Sequence, residues 1–396
     1  MTVETLPEFA CSVLERLELA GYQAFLVGGC VRDILRGTEP HDFDICTSAL
    51  PEEILSLFPG SIPTGIKHGT VTVAAGESRL EVTTFRSDGA YKDRRRPESV
   101  TYIADIEEDL KRRDFTMNAV ALSRSGEITD PFNGQSDIKA RIIRCVGDPL
   151  KRFDEDALRM FRAFRFSARF DFEPEPETIA AIYKKAELAQ ALAPERIRSE
   201  LEGILTSGRP GKVFELIRAG LMDSYLRREN IKTEYIRRFE QLPSDFRLRL
   251  AGFCTLLFVS GSVADPSVFL RSLRHDAATI KICSEAVEKA NGGLPCDMPG
   301  LKRLMSRCGT EVARCAAAAA NVLTPCGYTE KIEKIIVASE CFSLKDLAVN
   351  GDDLSALGFS GKELGEELFR LLDHVIDTPE DNNKKTLIDL ASHGRT

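Results

Sequence analysis

The stretch FLVGGCVRDILRGTEPHDFDICTS, residues 25–48, sets two glycines a short distance ahead of an Asp-Phe-Asp. Ala24 to Val27 reads as a short apolar strand that runs into Gly28 and Gly29, with a helix beginning near Val31. Glycines let a backbone approach an anion closely, and the first N–H groups of a helix have no intrahelical acceptor, so this half has the shape of a phosphate site. In Asp42-Phe43-Asp44-Ile45 acids alternate with apolar residues. On a strand this puts both carboxylates on one face and both apolar side chains in the core. Aligned acids repel unless cations lie between them. A pair of divalent ions roughly 4 Å apart would satisfy them and would clamp the attacking and leaving oxygens of a phosphoryl transfer. Taken singly, Gly-Gly is most often a tight turn and D-x-D a solvated edge. In tandem they point to nucleotidyl transfer from a triphosphate.

At 396 residues the chain exceeds what one core usually supports, and two to four domains of roughly 150 residues are expected. The composition, 43% hydrophobic and 29% charged, is that of a globular protein, and neither a long apolar run nor a signal-like start is present. A cytoplasmic protein without membrane contact is expected. The 11 cysteines include no C-x-x-C pair, and Cys254 and Cys315 lie in apolar helical contexts, so buried thiols are expected rather than metal ligands or disulfides. A net charge of -8 excludes a protein that coats nucleic acid over its whole surface. Basic residues nevertheless cluster in YKDRRRP (91–97), KRRD (111–114), KARIIR (139–144) and RMFRAFRFSAR (159–169). A charge run is usually a solvated face. Four of them beside a triphosphate site read as the footprint of a polyanion, so the expected partners are nucleic acid and nucleotide.

Helix and strand alternate up to about residue 145, with an N-terminal helix and strands near 24–27, 42–46, 70–74, 80–85 and 119–122. After Gly147-Asp148-Pro149 helical periodicity takes over. The expected class is α+β, a β-sheet head followed by an all-helical remainder. Loops are expected at 207–212, 291–300 and 323–329. GRPGKV, within the first of these, fails the phosphate-loop spacing and follows a helix rather than a strand. His275-Asp276 lacks the upstream histidine that a metal phosphohydrolase would need, since none occurs between His68 and His275.

Three further segments carry candidate chemistry. In SRLEVTTF the apolar Leu80 and Val82 alternate with Glu81 and Thr83, so Glu81 is either a third carboxylate beside the aspartate pair or a surface acid. LKRRDFTMNAVAL brings Arg112, Arg113, Asp114 and Asn118 just ahead of an apolar strand. Arginine forks suit phosphate, and Asp and Asn suit ribose hydroxyls; the alternative is Asp114 as the cap of a structural helix. FDEDALRMFRAFRF is strongly helical, with Asp156 and Arg159 three apart on one face. Such a pair is usually a surface ion pair. It could instead read a nucleobase edge. Cytosine and adenine both present an amino donor next to a ring-nitrogen acceptor, which an Asp acceptor beside an Arg donor fits; uracil and guanine present the reverse order.

These segments, in their order, resemble the class II CCA-adding tRNA nucleotidyltransferases and the related bacterial poly(A) polymerases. The likeness is dense over about the first 205 residues: VGGCVRD with DFD, KHGTVTV, EVTTFR, KRRDFTMNA, DPFNGQSDIKARIIRCVGDP, RFDEDALRMFRAFRF and PERIRSELEGIL. The resemblance implies a polymerase-beta-like nucleotidyltransferase head over 1–145, a helical neck over 146–208 that recognises the base, a helical body over 209–325 and a helical tail over 326–396, both binding tRNA. It implies Gly28, Gly29 and Arg32 for the triphosphate, Asp42 and Asp44 for two Mg²⁺ ions, and Glu81 as a third catalytic carboxylate. Arg113, Asp114 and Asn118 would hold phosphate and ribose. Asp156 and Arg159 would serve as the protein template for C and A beside Glu155, with Arg162 in support; Glu195, Arg196 and Arg198 would brace the template helix. The implied reaction adds C, C and A to a tRNA 3′ end from CTP and ATP. RSDGAYKDRRRP, residues 86–97, would form the loop that switches from C to A addition.

The competing readings are an enzyme that adds only CC or only A, a poly(A) polymerase, and a catalytically silent RNA-binding scaffold. Intact Asp42 and Asp44 speak against the last. No DNA partner is expected.

Overall fold

The computed structural model describes residues 6–75, 78–89 and 100–393, so the basic run at 91–97 lies outside the described residues. The chain forms two compact units, one running up to Ile204 with Lys212–Ser224, the other comprising Leu205–Gly211 and the chain from Tyr225 onward.

The first unit opens with α1 (Glu8–Leu19), whose stripe of Ala10, Val13, Leu14 and Leu17 is buried. Its spacing of three and four is that of one helix face. There follow β1 (Ala24–Val27), α2 (Gly29–Leu35), β2 (Asp44–Thr47), α3 (Pro51–Leu57), β3 (Ile62–Gly65), β4 (Thr70–Ala75) and β5 (Ser78–Thr84). A hairpin of β6 (Arg86–Asp88) and β7 (Val100–Tyr102) flanks the segment outside the described residues. Next come α4 (Ile106–Lys111), β8 (Ala121–Leu122), β9 (Ile128–Thr129), α5 (Gly134–Ala140) and β10 (Ile142–Ile143). The main sheet is mixed, in the order β3-β4-β5-β2-β1-β8-β9. Its two faces are covered separately: Leu26, Ile45, Val71, Val73, Leu80 and Val82 join the α1 stripe in one core, while Val27, Cys46, Phe85, Ala119 and Ala121 join Leu110 of α4 in another. Alternate strand residues thus serve opposite cores, as the pleat requires.

The helices of the same unit are α6 (Pro149–Glu155), α7 (Leu158–Phe170), α8 (Pro176–Lys185), α9 (Pro194–Leu205) and α10 (Lys212–Arg218), with β11 (Glu173–Pro174) pairing parallel to β10. The sheet-to-helix change expected near residue 145 is borne out, apart from this short β11.

The second unit is helical: α11 (Thr233–Glu240), α12 (Phe246–Val259), α13 (Pro266–Ser272), α14 (Ala277–Gly292), α15 (Met298–Cys308), α16 (Thr310–Leu323), α17 (Tyr328–Val337), α18 (Gly351–Ala356), α19 (Gly361–Asp377) and α20 (Lys384–His393). The run CAAAAA is buried throughout, because α16 packs against both α12 and α14. A separate core of Leu354, Leu371, Leu372, Val375 and Leu387 holds α18, α19 and α20 together. Loops separate α9 from α10, α14 from α15 and α16 from α17, where turn residues led us to expect them. Asp276 caps α14 by accepting from Thr279 N, which accounts for the His-Asp dipeptide. All 11 cysteines are free, and Cys30, Cys46, Cys145, Cys254, Cys283 and Cys315 are buried.

Four local expectations are corrected. The helix after the glycines starts at Gly29 rather than Val31, and β2 begins at Asp44, leaving Asp42 and Phe43 in the preceding loop. The strand expected over 119–122 is reduced to Ala121–Leu122, because Thr116–Asn118 form a 3₁₀ turn. The helix expected through FDEDALRMFRAFRF breaks at Asp156, whose φ of -145° and ψ of 104° are extended. There the Asp156 side chain accepts from Leu158 N and so starts a new helix instead of continuing the old one.

Candidate active site

Strand register explains why the glycines and the aspartates share a segment. Val27 stands opposite Asp44 in the antiparallel β1–β2 pair, so the Gly28 turn and the Asp42/Asp44 pair emerge at the same end of the sheet. Gly28 has φ +75°, and a Cβ there would come within 3.1 Å of Arg113 Nη1 and 3.9 Å of Asp44 Oδ2. Only glycine combines that backbone with that space. On its other side β2 runs parallel to β5, with Asp44 in register with Glu81.

A cavity of about 330 Å³ opens at this end, and its lining includes Gly28, Gly29, Arg32, Asp42, Asp44, Arg113, Asp114, Asn118 and Arg162. Phe43 and Ile45 are buried between and beyond the two acids, so the alternation read from the sequence holds even though the strand is shorter. Crowding by protein raises the Asp44 carboxyl above its ordinary range; Glu81 and Asp42 add to the rise and Arg113 opposes it. An acid held this way carries negative charge that the fold does not fully offset, and the donor set, carboxylates at the rim of a cleft, suits a hard divalent cation. Among the described residues no three Asp, Glu, His or Cys side chains converge tightly enough to enclose an ion. A cation on Asp42 and Asp44 would therefore take its remaining ligands from substrate oxygens and water, as magnesium commonly does.

The cationic wall is a connected network. Arg32 donates to Asn118 Oδ1 at 2.8 Å and to both oxygens of Asp33 at 3.0 Å. Asn118 Nδ2 in turn donates to Asp114 Oδ1 at 3.1 Å, and Arg162 pairs with Asp114 Oδ2 at 2.6 Å. Burial alone would push the Asp114 carboxyl up, but Arg162, the Asn118 amide and Arg159 outweigh it and hold it at about 2. Arg113 pairs with Asp109 at 3.3 Å, while its buried Nε has no acceptor. Along α7 the guanidinium groups lie over phenylalanine rings: Arg162 and Arg165 over Phe166 at 5.2 and 4.5 Å, and Arg169 over Phe170 at 5.3 Å, with Arg32 of α2 over Phe170 at 4.2 Å. These contacts fix where the positive charges point.

Residues 24–144 match the model of the poly A polymerase head domain, and residues 171–227 match that of a probable RNA and SrmB-binding site of polymerase A. The CCA-adding enzyme of Levilactobacillus brevis is 38% identical over 398 aligned residues, covering 98% of this chain and 99% of that one. The chain belongs to the CCA-adding enzyme family. The CCA-adding enzyme of Geobacillus kaustophilus is 35% identical, with 96% of this chain and 95% of that one covered. Among solved structures, that of the Bacillus stearothermophilus CCA-adding enzyme in complex with CTP superposes with a TM-score of 0.80 at 31% identity, covering 99% of this chain and 98% of that one.

In this member of the CCA-adding enzyme family the base-reading candidates stand apart from the 330 Å³ cavity lining. The Arg159 N–H donates to the Asp156 carbonyl at 3.1 Å, and the two side chains engage different partners. Asp156 Oδ2 receives Arg196 of α9 at 2.9 Å, while Arg159, itself buried, pairs with Glu155 at 2.5 Å and donates to the carbonyls of Arg152 and Arg112. Of the three α9 candidates Arg196 touches Asp156; Arg198 pairs with Glu202 in its own helix, and Glu195 sits in the first turn.

Two features escaped the sequence reading. Asp109 is completely buried and holds Arg112 at 2.8 Å, Arg113 at 3.3 Å and the backbone N–H of Arg86 at 3.2 Å. It follows two other acids, Glu107 and Glu108, and only its position on the inner face of α4 distinguishes it. The cavity also takes in His41, Arg165, Phe166 and Arg169. The repeat of Arg162, Phe166 and Phe170 every four residues was visible, but as a charge cluster rather than as a ladder.

Proposed function

We propose that this chain adds C, C and A to the 3′ end of tRNA from CTP and ATP without a nucleic-acid template, releasing pyrophosphate at each step. The observation that supports this reading is the meeting of Gly28 and Asp44 through strand register in a cleft walled by Arg32, Arg113 and Arg162, with Glu81 in register beside Asp44 though outside the cavity lining. The similar CCA-adding enzymes of Levilactobacillus brevis and Geobacillus kaustophilus support the same reading.

Two Mg²⁺ ions on Asp42 and Asp44, when bound, would supply activation of the tRNA 3′ hydroxyl and stabilisation of the leaving pyrophosphate. Gly28 and Gly29 let the triphosphate approach the backbone. Arg113, with its unpartnered Nε, and Arg162 stand where phosphate oxygens would lie, and the Asp114–Asn118 pair offers acceptors and a donor to the ribose hydroxyls. Glu81 acts as a third carboxylate through its place beside Asp44. Asp156, held by Arg196, and Arg159, held by Glu155, read the Watson–Crick edge shared by cytosine and adenine. The division of labour assigns catalysis to the head at 1–145, base reading to the neck at 146–208, and tRNA binding to the body at 209–325 and the tail at 326–396. Among the described residues no helix is long and apolar enough to cross a membrane, and we place the protein in the cytoplasm with its tRNA substrate.

The test uses purified protein with Mg²⁺, CTP and ATP, separately and together, and tRNA transcripts ending before CCA, after CC and after CCA. Three nucleotides added to the first transcript and none to the third are the expected result. Growth of only the second transcript would mean an A-adding enzyme, arrest after CC a CC-adding one, and long A tails a poly(A) polymerase. No incorporation on any transcript would leave a silent scaffold.

A further inference from the structure

The basic run KARIIR is not used by the cleft just described. Its last member, Arg144, is engaged by Asp137 at 3.1 Å and Glu175 at 2.5 Å. Lys139 and Arg141 instead line a second cavity, of about 580 Å³, together with Arg36 and with Phe170 and Phe172. Lys139 has no charged partner among the described residues, and Arg141 reaches only Asp171, at 3.6 Å, with both side chains mostly in solvent. The pocket lining thus presents three cations and a single carboxylate, with Arg36 also reaching Asp33 outside the lining at 3.5 Å.

This pocket adjoins the cleft. Arg32 faces the cleft and Arg36 the second cavity, one turn of α2 apart, about 5.4 Å. Both guanidinium groups stack on the same Phe170 ring, at 4.2 and 4.5 Å, and Arg36 also lies 5.7 Å from the Phe172 ring. The rim is held in place by the fold. Arg141 and Asp171 close α5 and α7 with left-handed backbones, φ +58° and +59°, and β10 pairs with β11 immediately beyond them.

We propose that this pocket holds phosphodiester groups of the RNA substrate just upstream of its growing 3′ end. The proposal rests on the reading that the 3′ end enters the Asp42/Asp44 cleft, because the strand leading to that end must then pass the adjoining surface. A free triphosphate travels with a divalent cation and wants a carboxylate pair beside it. The cleft has that pair, whereas the second pocket has only Asp171, already beside Arg141. Singly charged phosphodiesters need no metal and suit exposed Lys and Arg on an apolar floor.

The test compares wild type with the double variant Lys139→Gln/Arg141→Asn, asparagine being tolerant of the left-handed backbone. Binding of a tRNA transcript lacking CCA is measured at several salt concentrations, and KM for CTP is measured alongside. Expected are a loss of tRNA affinity of roughly tenfold, a fall of about one to two in the slope of log affinity against log salt, and an unchanged KM for CTP. Lys139→Arg should bind like wild type. Unchanged tRNA affinity and slope in the double variant would overturn the proposal. So would a raised KM for CTP with normal tRNA binding, which would make the pocket a free-nucleotide site, or a loss in Lys139→Arg equal to that of the double variant. Should wild type fail to extend any transcript, the functional reading falls, while the binding comparison still decides this one.

Discussion

Arg162 Nη2 lies 2.6 Å from Asp114 Oδ2, joining α7 to the turn after α4 through a carboxylate that is nine-tenths buried. That contact bears on stability. Despite its burial, Asp114 is held at about 2, chiefly by Arg162. A depressed carboxylate stabilises the fold above its unfolded pKa of about 3.9 and loses that contribution as pH falls toward the folded value. We expect Asp114 to contribute about 2 kcal/mol at neutral pH, lost between about pH 4 and pH 2. Urea denaturation of wild type and Asp114→Asn across that range checks it: the wild-type curve should fall more steeply, and the two should converge toward pH 2.

The opposite sign applies to Asp44. Its folded value is raised by burial, with Glu81 and Asp42 adding to the effect, so the ionised form weakens the fold at neutral pH and the penalty disappears in acid. Asp44→Asn should therefore melt slightly higher than wild type at pH 7 without divalent ions, and no higher at pH 3. Nucleotide incorporation should fall at least about a thousand-fold, since several kcal/mol of transition-state stabilisation go with the clamp it would hold. Glu81→Gln should move the acid limb of the pH–rate profile to lower pH. Melting curves and initial rates against pH test both.

Nucleotide choice should depend on Asp156 and Arg159. Asp156→Ala or Arg159→Ala is expected to reduce the preference for CTP over UTP by about a hundred-fold or more, with tRNA affinity nearly unchanged. Because Arg196 holds Asp156 at 2.9 Å, Arg196→Ala should weaken the same preference more mildly. Competition assays with labelled CTP and UTP read the ratio directly. An unaltered ratio in both template variants would remove the assignment.

Gly28→Ala should be damaging in two ways. The backbone at φ +75° and ψ -129° strains any side chain, at roughly 1–3 kcal/mol, and the new methyl group would press on Arg113 Nη1 at 3.1 Å. We expect a lower melting temperature and a severalfold rise in KM for both CTP and ATP. Gly37→Ala is the control, since its φ of +72° is strained too but nothing lies within 4 Å of the added methyl; it should lose stability and leave KM alone.

The head was legible because its signals are local. Apolar alternation fixed which residues of β2 and β5 face inward, and glycine marked the turn. The same alternation did not reveal which strands pair, so Glu81 remained one of two possibilities until β5 lay parallel to β2. Asp156 sits among good helix formers, yet its short side chain accepts from Leu158 N at the start of the following helix, and such a signal inside a helical run cannot be told from the run itself. Asp109 was invisible for another reason. Its partners Arg112 and Arg113 are nearby in sequence, but its complete burial is a property of the packed sheet.

The arginines stacked along Phe166 and Phe170 have a consequence for how tightly an anion can be held. A free arginine side chain carries roughly 2 kcal/mol of rotamer entropy, which a ligand must remove to engage it. Here Arg32, Arg162, Arg165 and Arg169 are already laid on rings or tied to carboxylates. Their freedom is surrendered when the chain folds, so an anion entering the cleft would meet charges that have little left to lose, and more of each contact would remain as affinity. Lysines of equal charge at these positions would need to be immobilised anew in every round of addition.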